Sequence, residues 1–355
     1  MDQKMKTKEC LVEQFRMYPD MQVQDVFKYL FQSSFGCEHM AASLERAVGY
    51  IEKEYKEGNF AAEDMTVNAL DGAYGRVPLG VMKSGICAAT FAKLFTLSAK
   101  KEEEGREALE NKLSVARRLA EEGGIPVPVA EFDEAVSAWK EAGYPAIHHS
   151  DKFRELYHPA YRVLANEYIS YLPLFAKIDR LLAGGRAVVA VEGGSASGKS
   201  TLGDMLQRVY DCTVFHMDDF FLRPEQRTPE RFAEPGGNVD RERFLEEVLV
   251  PLHRGEPIEY RPFDCSKWTV AAEPVTVVPK QLVIVEGAYS MHPELADFYD
   301  FSVLLSISSE KQRERIIKRN TPQMAERFFK EWIPMEQVYF DKMKVRERCD
   351  MIIEV

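Results

Sequence analysis

A chain of 355 residues is long enough for two domains of ordinary size, each with its own hydrophobic core. Hydrophobic residues make up 45% and charged residues 29%, as in globular proteins, and a net charge of −11 argues against a general nucleic-acid binder. No apolar run approaches the roughly 18 residues needed to span a bilayer, the N-terminus has no apolar signal core, and the six cysteines form no CxxC pair. We therefore expect a soluble, cytoplasmic protein with reduced thiols that binds neither nucleic acid nor membrane.

The first half of the chain has helical periodicity. Apolar residues recur at i, i+3, i+4, i+7 and i+8 over residues 23–31, and a second stripe covers residues 40–55. Residues 60–84 are turn-rich, further helical patterns follow, and the last helix is expected over residues 160–182. Because β-branched runs are scarce, residues 1–183 are predicted to form an all-α domain.

The pattern changes at Gly184 and Gly185. Short apolar runs now alternate with helical stretches, which predicts a parallel sheet buried on both faces and a doubly wound α/β domain over residues 184–355. The five predicted strands are RAVVAVEG, CTVFHM, QLVIVEG, FSVLLSI and CDMIIEV.

The stretch from Gly193 to Ser200, GGSASGKS, fits the phosphate-loop pattern G-x-x-x-x-G-K-[ST] and lies between a predicted strand and a predicted helix. Glycines allow successive N–H groups to turn inward around a phosphate, and the following helix directs its positive end at the same anion. Lys199 would reach the β- and γ-phosphates, and the Ser200 hydroxyl would bind Mg²⁺. The residues predicted to hold the nucleotide are Gly193, Gly194, Ser195, Ala196, Ser197, Gly198, Lys199, Ser200 and Thr201.

Acidic residues follow two of the later strands. Asp218 and Asp219 follow CTVFHM, where a carboxylate could accept the proton of an attacking substrate hydroxyl and help to hold Mg²⁺. The alternative role for this pair is helix capping or a turn. Glu286 lies at the end of the apolar strand predicted in QLVIVEG, where an acid would order Mg²⁺ and its waters.

A basic segment, SSEKQRERIIKRN, places Arg315 and Arg319 one turn apart on a helix. These arginines could close over the polyphosphate and stabilise the transferred charge. A solvated charged helix is an equally weighted alternative.

Residues 187–355 resemble the uridine kinase-like branch of phosphate-loop kinases, which includes nicotinamide riboside kinases and phosphoribulokinases. The resemblance rests on the order of GGSASGKST, MDDFF, GGNVDRERF, YRPFD, VIVEG and the RxxxR helix. It implies that Asp218 is the catalytic base, that Asp240 binds a ribose diol and that Tyr260 lies near the substrate. It also implies that Arg315 and Arg319 belong to a lid.

One departure concerns the acceptor. Uridine kinases usually carry a histidine shortly after the tyrosine, and YRPFDCSKW has none. The main hypothesis is an ATP- and Mg²⁺-dependent kinase acting on a hydroxyl of a small metabolite, with a nucleoside as the family's default acceptor. The alternative is a nucleotide-dependent switch or NTPase whose output is the helical domain.

Two polar clusters mark the helical domain. The first is Cys37, Glu38 and His39; the second is His148, His149, Arg154, His158, Tyr161 and Arg162. They could bind a metal or a phosphorylated ligand, although their spacing is not specific for metal, and interhelical loops explain them more simply. The domain could bind substrate, sense an effector or mediate homo-oligomer formation.

Overall fold

The computed structural model describes residues 3–36, 43–60, 65–99 and 102–355, and it forms two compact units, Met1–Asp179 and Arg180–Val355. In the described part of the chain, no helix combines the length and apolar character that crossing a membrane requires. The cluster of Cys37, Glu38 and His39 lies outside the described residues.

The N-terminal unit is mainly helical, as predicted. Its second helix buries Val26, Phe27 and Leu30 in a core that also receives Phe132 and Trp139 from a later helix. The helices are α1 (Gln3–Met17), α2 (Val23–Phe35), α3 (Leu44–Glu57), α4 (Ala88–Leu97), α5 (Glu102–Glu121), α6 (Val129–Glu141), α7 (Asp151–Tyr157), α8 (Asn166–Ile169) and α9 (Leu172–Ala183), with a 3₁₀ helix at Leu79–Ser84.

A three-stranded antiparallel sheet accompanies these helices, so "all-helical" is too strong a description of residues 1–183. The strands are β1 (Asn68–Ala69), β2 (Tyr74–Pro78) and β3 (Tyr161–Ala165), in the order β1-β2-β3. The single helix predicted over residues 160–182 is therefore wrong at its start. Pro159 precedes the strand, and Tyr161 pairs with Pro78, a partner distant in sequence that helical periodicity cannot reveal.

The C-terminal unit contains the predicted five-stranded parallel sheet, and all five predicted strands are confirmed. The strands are β4 (Ala187–Gly193), β5 (Thr213–His216), β10 (Leu282–Glu286), β11 (Phe301–Ser306) and β12 (Met351–Glu354), in the order β12-β11-β4-β10-β5. Every residue of β4 and β10 is buried, which explains their uninterrupted apolar sequences.

Between β5 and β10 the chain forms two small antiparallel pairs that the sequence analysis did not predict. They are β6 (Ile258–Tyr260) with β9 (Val275–Val277), and β7 (Phe263–Asp264) with β8 (Thr269–Val270).

Helices complete this unit. They are α10 (Lys199–Tyr210), α11 (Pro229–Ala233), α12 (Arg241–Phe244), α13 (Val250–Arg254), α14 (Pro293–Ala296), α15 (Ser309–Arg319), α16 (Pro322–Arg327), α17 (Ile333–Lys342) and α18 (Val345–Arg348). Short 3₁₀ helices lie at Met217–Phe220 and Pro224–Gln226, and π-helical turns at Leu245–Leu249 and Phe328–Trp332.

Candidate active site

The loop between β4 and α10 has the conformation of a phosphate cradle. Gly193 has a φ of 157°, and a Cβ there would lie 2.6 Å from Ser197 Oγ; Gly198 has a φ of 102°. Both positions therefore need glycine. The Lys199 ammonium donates to the Gly194 carbonyl at 3.0 Å, and α10 begins at Lys199 with its N-terminus towards the loop. Loop amides and the positive end of a helix thus converge where an anion can bind.

A buried carboxylate from α17 contacts this loop. Glu336 accepts a hydrogen bond from the Ser195 amide at 2.9 Å and another from the Ser195 hydroxyl at 2.6 Å. Burial raises the pKa of the Glu336 carboxyl, and the hydrogen bonds from Ser195 partly oppose this shift. One of the loop donors that could serve a phosphate is therefore engaged by a protein carboxylate.

Two further acids stand at the ends of neighbouring strands. Because β5 and β10 pair in parallel with His216 opposite Glu286, both strand ends open on the same edge of the sheet. His216 Nδ1 lies 2.5 Å from Glu286 Oε1, and this hydrogen bond raises the pKa of His216 despite partial burial. Asp218, two residues beyond His216, interacts electrostatically with Lys199 of the phosphate loop.

The Asp218 carboxylate is open to solvent, although protein surrounds it on most sides. This partial desolvation raises its pKa, nearby Glu286 adds to the shift, and Lys199 opposes it. Asp219 is instead held by Tyr260, whose hydroxyl lies 3.3 Å from Asp219 Oδ2. The two adjacent acids therefore have different surroundings.

A cavity of about 580 Å³ joins the loop to the acids. Of the residues predicted from the sequence, it is lined by Ser195, Ala196, Gly198, Lys199, Ser200, Thr201, Asp218, Glu286 and Arg319. A loop that can hold a polyphosphate and an acid that can accept a proton thus face the same space.

No model of a known protein family matches the chain, but curated uridine kinases do. The chain is 28% identical over 149 residues to the uridine kinase of Oceanobacillus iheyensis, covering 39% of this chain and 69% of the relative. It is 28% identical over 148 residues to the Escherichia coli uridine kinase, covering 38% and 68%. Among solved structures, a possible uridine kinase from Bacillus stearothermophilus has a TM-score of 0.39 at 22% identity, over 51% of this chain and 98% of that one.

The C-terminal unit is similar to uridine kinases, and we refer to it as the uridine kinase-like domain. The sequence match to the Oceanobacillus iheyensis enzyme covers 39% of the chain.

Three of the residues assigned by resemblance do not line the cavity of the uridine kinase-like domain. Asp240 caps α12 by accepting from the Arg243 amide at 3.3 Å, and it lines a separate recess with Arg223. Tyr260 is buried against Phe220 and Asp219.

Arg315 is the third of these residues. It donates to the carbonyls of Ala196 and Ser197 at 3.1 and 3.3 Å, so it contacts the backbone of the phosphate loop. Arg319, one turn further along α15, lines the cavity. The two predicted lid arginines therefore occupy different positions: one braces the loop and the other faces the cavity.

An aromatic and basic wall of the same cavity was not predicted from the sequence. The Arg227 guanidinium lies 4.5 Å from the ring centre of Trp268, and the Arg327 guanidinium 4.9 Å from that of Trp332. All four residues line the cavity, as does Glu336. No recognised motif contains them, although the closeness of Arg327 to Trp332 in sequence is a weak signal of such a pair.

Proposed function

We propose that the uridine kinase-like domain is an ATP- and Mg²⁺-dependent phosphotransferase that phosphorylates a hydroxyl of a small metabolite, with a nucleoside as the first candidate acceptor. The observation that carries the proposal is that Lys199 and Asp218 line one cavity. The loop would hold the donor while Asp218 meets the acceptor.

In this mechanism, the loop amides and Lys199 bind the β- and γ-phosphates, and Arg319 faces the transferred group. The acceptor oxygen forms a bond to the γ-phosphorus, the bond from that phosphorus to the β–γ bridging oxygen breaks, and Asp218 takes the hydroxyl proton. Trp268 and Trp332 offer flat apolar surfaces against which a ring of the donor or the acceptor can stack.

The oxygen donors near the loop are compatible with magnesium. Among the residues that the structure describes, no group of three or more His, Cys, Asp or Glu side chains could hold a metal on its own. Ser200 and Glu286 do line the cavity, and Mg²⁺ usually takes one or two protein oxygens together with substrate phosphates. When bound with the nucleotide, the ion would neutralise phosphate charge; Ser200 and Glu286 are its proposed protein ligands.

The test is ADP release by the full chain with a panel of nucleosides, sugars and glycerate. We expect turnover that depends on one class of acceptor, and Lys199→Ala should reduce it by at least about 100-fold because phosphate charge is no longer compensated. Lys177→Ala, a lysine change in the other unit, is the control. ADP release that needs no acceptor, or full activity of Lys199→Ala, would contradict the kinase mechanism.

Glu336→Gln is expected to tighten ATP binding about tenfold, since one negative charge beside the phosphate loop is removed while an oxygen remains for the Ser195 amide. Titration calorimetry with a non-hydrolysable ATP analogue measures this. Glu256→Gln, which changes an exposed acid of the same unit that does not line the cavity, should leave affinity unchanged. Weaker binding by Glu336→Gln would mean that the carboxylate mainly supports the loop.

A further inference from the structure

The N-terminal unit contains a cavity of about 300 Å³ of its own. Lys28 and Gln32, one turn apart on α2, form part of its wall, and Tyr161 and Arg162 from β3 form another part. His149 contributes from the loop before α7. Part of the second polar cluster noted in the sequence is thus gathered around one recess.

Lys28 is unusual in this recess. Only 5% of the residue is exposed, and among the described residues its ammonium has neither a hydrogen-bond acceptor nor an ion-pair partner. The other buried lysine of this unit, Lys112, shows the usual solution: it donates to Asp71 at 2.7 Å and to the Ser33 carbonyl at 2.7 Å. The Lys28 ammonium meets only the water of this recess, so its charge is poorly compensated unless an anion in the recess joins it.

The nearby carboxylates already have partners. Glu54 forms a two-pronged ion pair with Arg162 at 2.9 and 3.0 Å. Asp25 accepts from the Ser150 hydroxyl at 2.7 Å and lies 3.0 Å from His149 Nδ1. Neither acid is therefore available to compensate Lys28.

A second buried cation adds to the positive charge. Arg76 is held by the amide oxygens of Gln32 and Gln14, each at 3.0 Å, and its Nη2 has no hydrogen-bond partner in the described part of the chain. Its charge lowers the pKa of Lys28, whose burial is the larger cause, to about 8. At neutral pH Lys28 is therefore still mainly charged.

We propose that this cavity binds a small anionic metabolite whose carboxylate or phosphate group pairs with Lys28. An oxyanion would supply the acceptor that the ammonium lacks, and the cavity is about half as large as that of the kinase domain. Gln32 and Tyr161 lie beside Lys28 as polar neighbours for the rest of the ligand. The proposal concerns the N-terminal unit and does not depend on the kinase mechanism.

The test is thermal unfolding of the full chain titrated with sodium phosphate or sodium acetate, at constant ionic strength against sodium chloride. We expect a saturable rise in Tm with at least one anion, because a ligand that binds only the folded state stabilises it by mass action. Whether phosphate or acetate gives the rise identifies the head group. No saturable rise with either anion would overturn the proposal.

Three variants test whether the rise in Tm comes from anion binding at Lys28. Lys28→Met should weaken the anion response at least about tenfold, whereas Lys53→Met, the same change at an exposed lysine of α3, should preserve it. In the Lys199→Ala background, where anion binding by the phosphate loop is weakened, a saturable response should persist, which separates this cavity from the phosphate loop. An unchanged response in Lys28→Met, or its loss in Lys199→Ala, would refute the site.

Without anion, Lys28→Met is expected to fold and to be at least as stable as the wild type, because it removes an uncompensated charge from a largely buried side chain. Near-ultraviolet circular dichroism checks its fold. Lys28→Gln is a second neutral variant of polar character, and it should show the same loss of the anion response.

Discussion

Asp218→Asn is expected to lower kcat of the acceptor-dependent reaction by about 10²–10⁴-fold, the range in which general-base catalysis contributes. Asparagine keeps the shape of the side chain but cannot take the proton of the acceptor hydroxyl. Nucleotide affinity should change much less, because the phosphate loop and Lys199 are intact. Steady-state kinetics with the best acceptor of the panel, together with calorimetric binding of an ATP analogue, measures both quantities.

Asp219→Asn is the matched control, because the neighbouring acid is engaged by the Tyr260 hydroxyl and does not line the cavity. We expect its kcat to stay within about tenfold of the wild type, since it only loses part of one hydrogen bond. A large loss in Asp219→Asn with little loss in Asp218→Asn would exchange the roles of the two acids.

The pH profile gives a second readout for Asp218. Partial desolvation raises the pKa of this carboxyl, and a base works only when deprotonated. The wild-type kcat/KM should therefore fall at acidic pH as Asp218 becomes protonated. Asp218→Asn should lack this acidic limb, which a purely structural role of Asp218 would not predict.

The parts of the domain that could be predicted from sequence are those encoded by neighbouring residues. The apolar runs of β4 and β10 are buried on both faces, so their sequences leave little choice except a central parallel strand. In the loop from Gly193 to Ser200, the glycines Gly193 and Gly198 mark in the sequence two positions where the backbone takes a positive φ. The closeness of Asp218 and Glu286 could be predicted, because the carboxyl ends of parallel strands lie at the same edge of a sheet.

The rest depends on contacts between residues far apart in the chain. Glu336 reaches Ser195 from a helix more than a hundred residues later, and nothing around it resembles a motif. The apolar residues of β3 fit a helical period as well as a strand, and only pairing with β2 decides between them. The family resemblance could single out Asp240, but it could not show that the Asp240 side chain caps α12.

Glu192 is a further residue whose importance only the structure reveals. It is the penultimate residue of β4, directly before the phosphate loop, is completely buried, and accepts from the Gly193 amide at 2.8 Å. Its second oxygen accepts from the Met291 amide at 3.0 Å and from the Tyr339 hydroxyl at 2.9 Å. Burial nevertheless outweighs these hydrogen bonds and raises its pKa to about 7.

The raised pKa of Glu192 predicts a large pH effect on stability. The ordinary value is 4.5, so between pH 4.5 and about 7 the folded protein keeps a proton that the unfolded chain releases. The stability that the folded protein gains by keeping this proton is fully present below the unfolded pKa of 4.5. It is lost as the pH rises through the folded pKa of about 7. At about 1.4 kcal/mol per pH unit, this group alone lowers the free energy of unfolding by about 3 kcal/mol across the window.

Urea unfolding of the wild type and of Glu192→Gln at a series of pH values from about 4 to 8 measures this contribution. The quantity to compare is the slope of the free energy of unfolding against pH. The absolute values are less informative, because the NH₂ group of a glutamine must face one of the donors around Glu192, a cost that does not depend on pH. We expect the wild type to lose about 3 kcal/mol relative to the variant as the pH rises through the window. If the unfolding free energies of the two proteins changed in parallel with pH, Glu192 would be ionised in the folded state throughout. The N–H and O–H donors around it would then outweigh the burial of its charge.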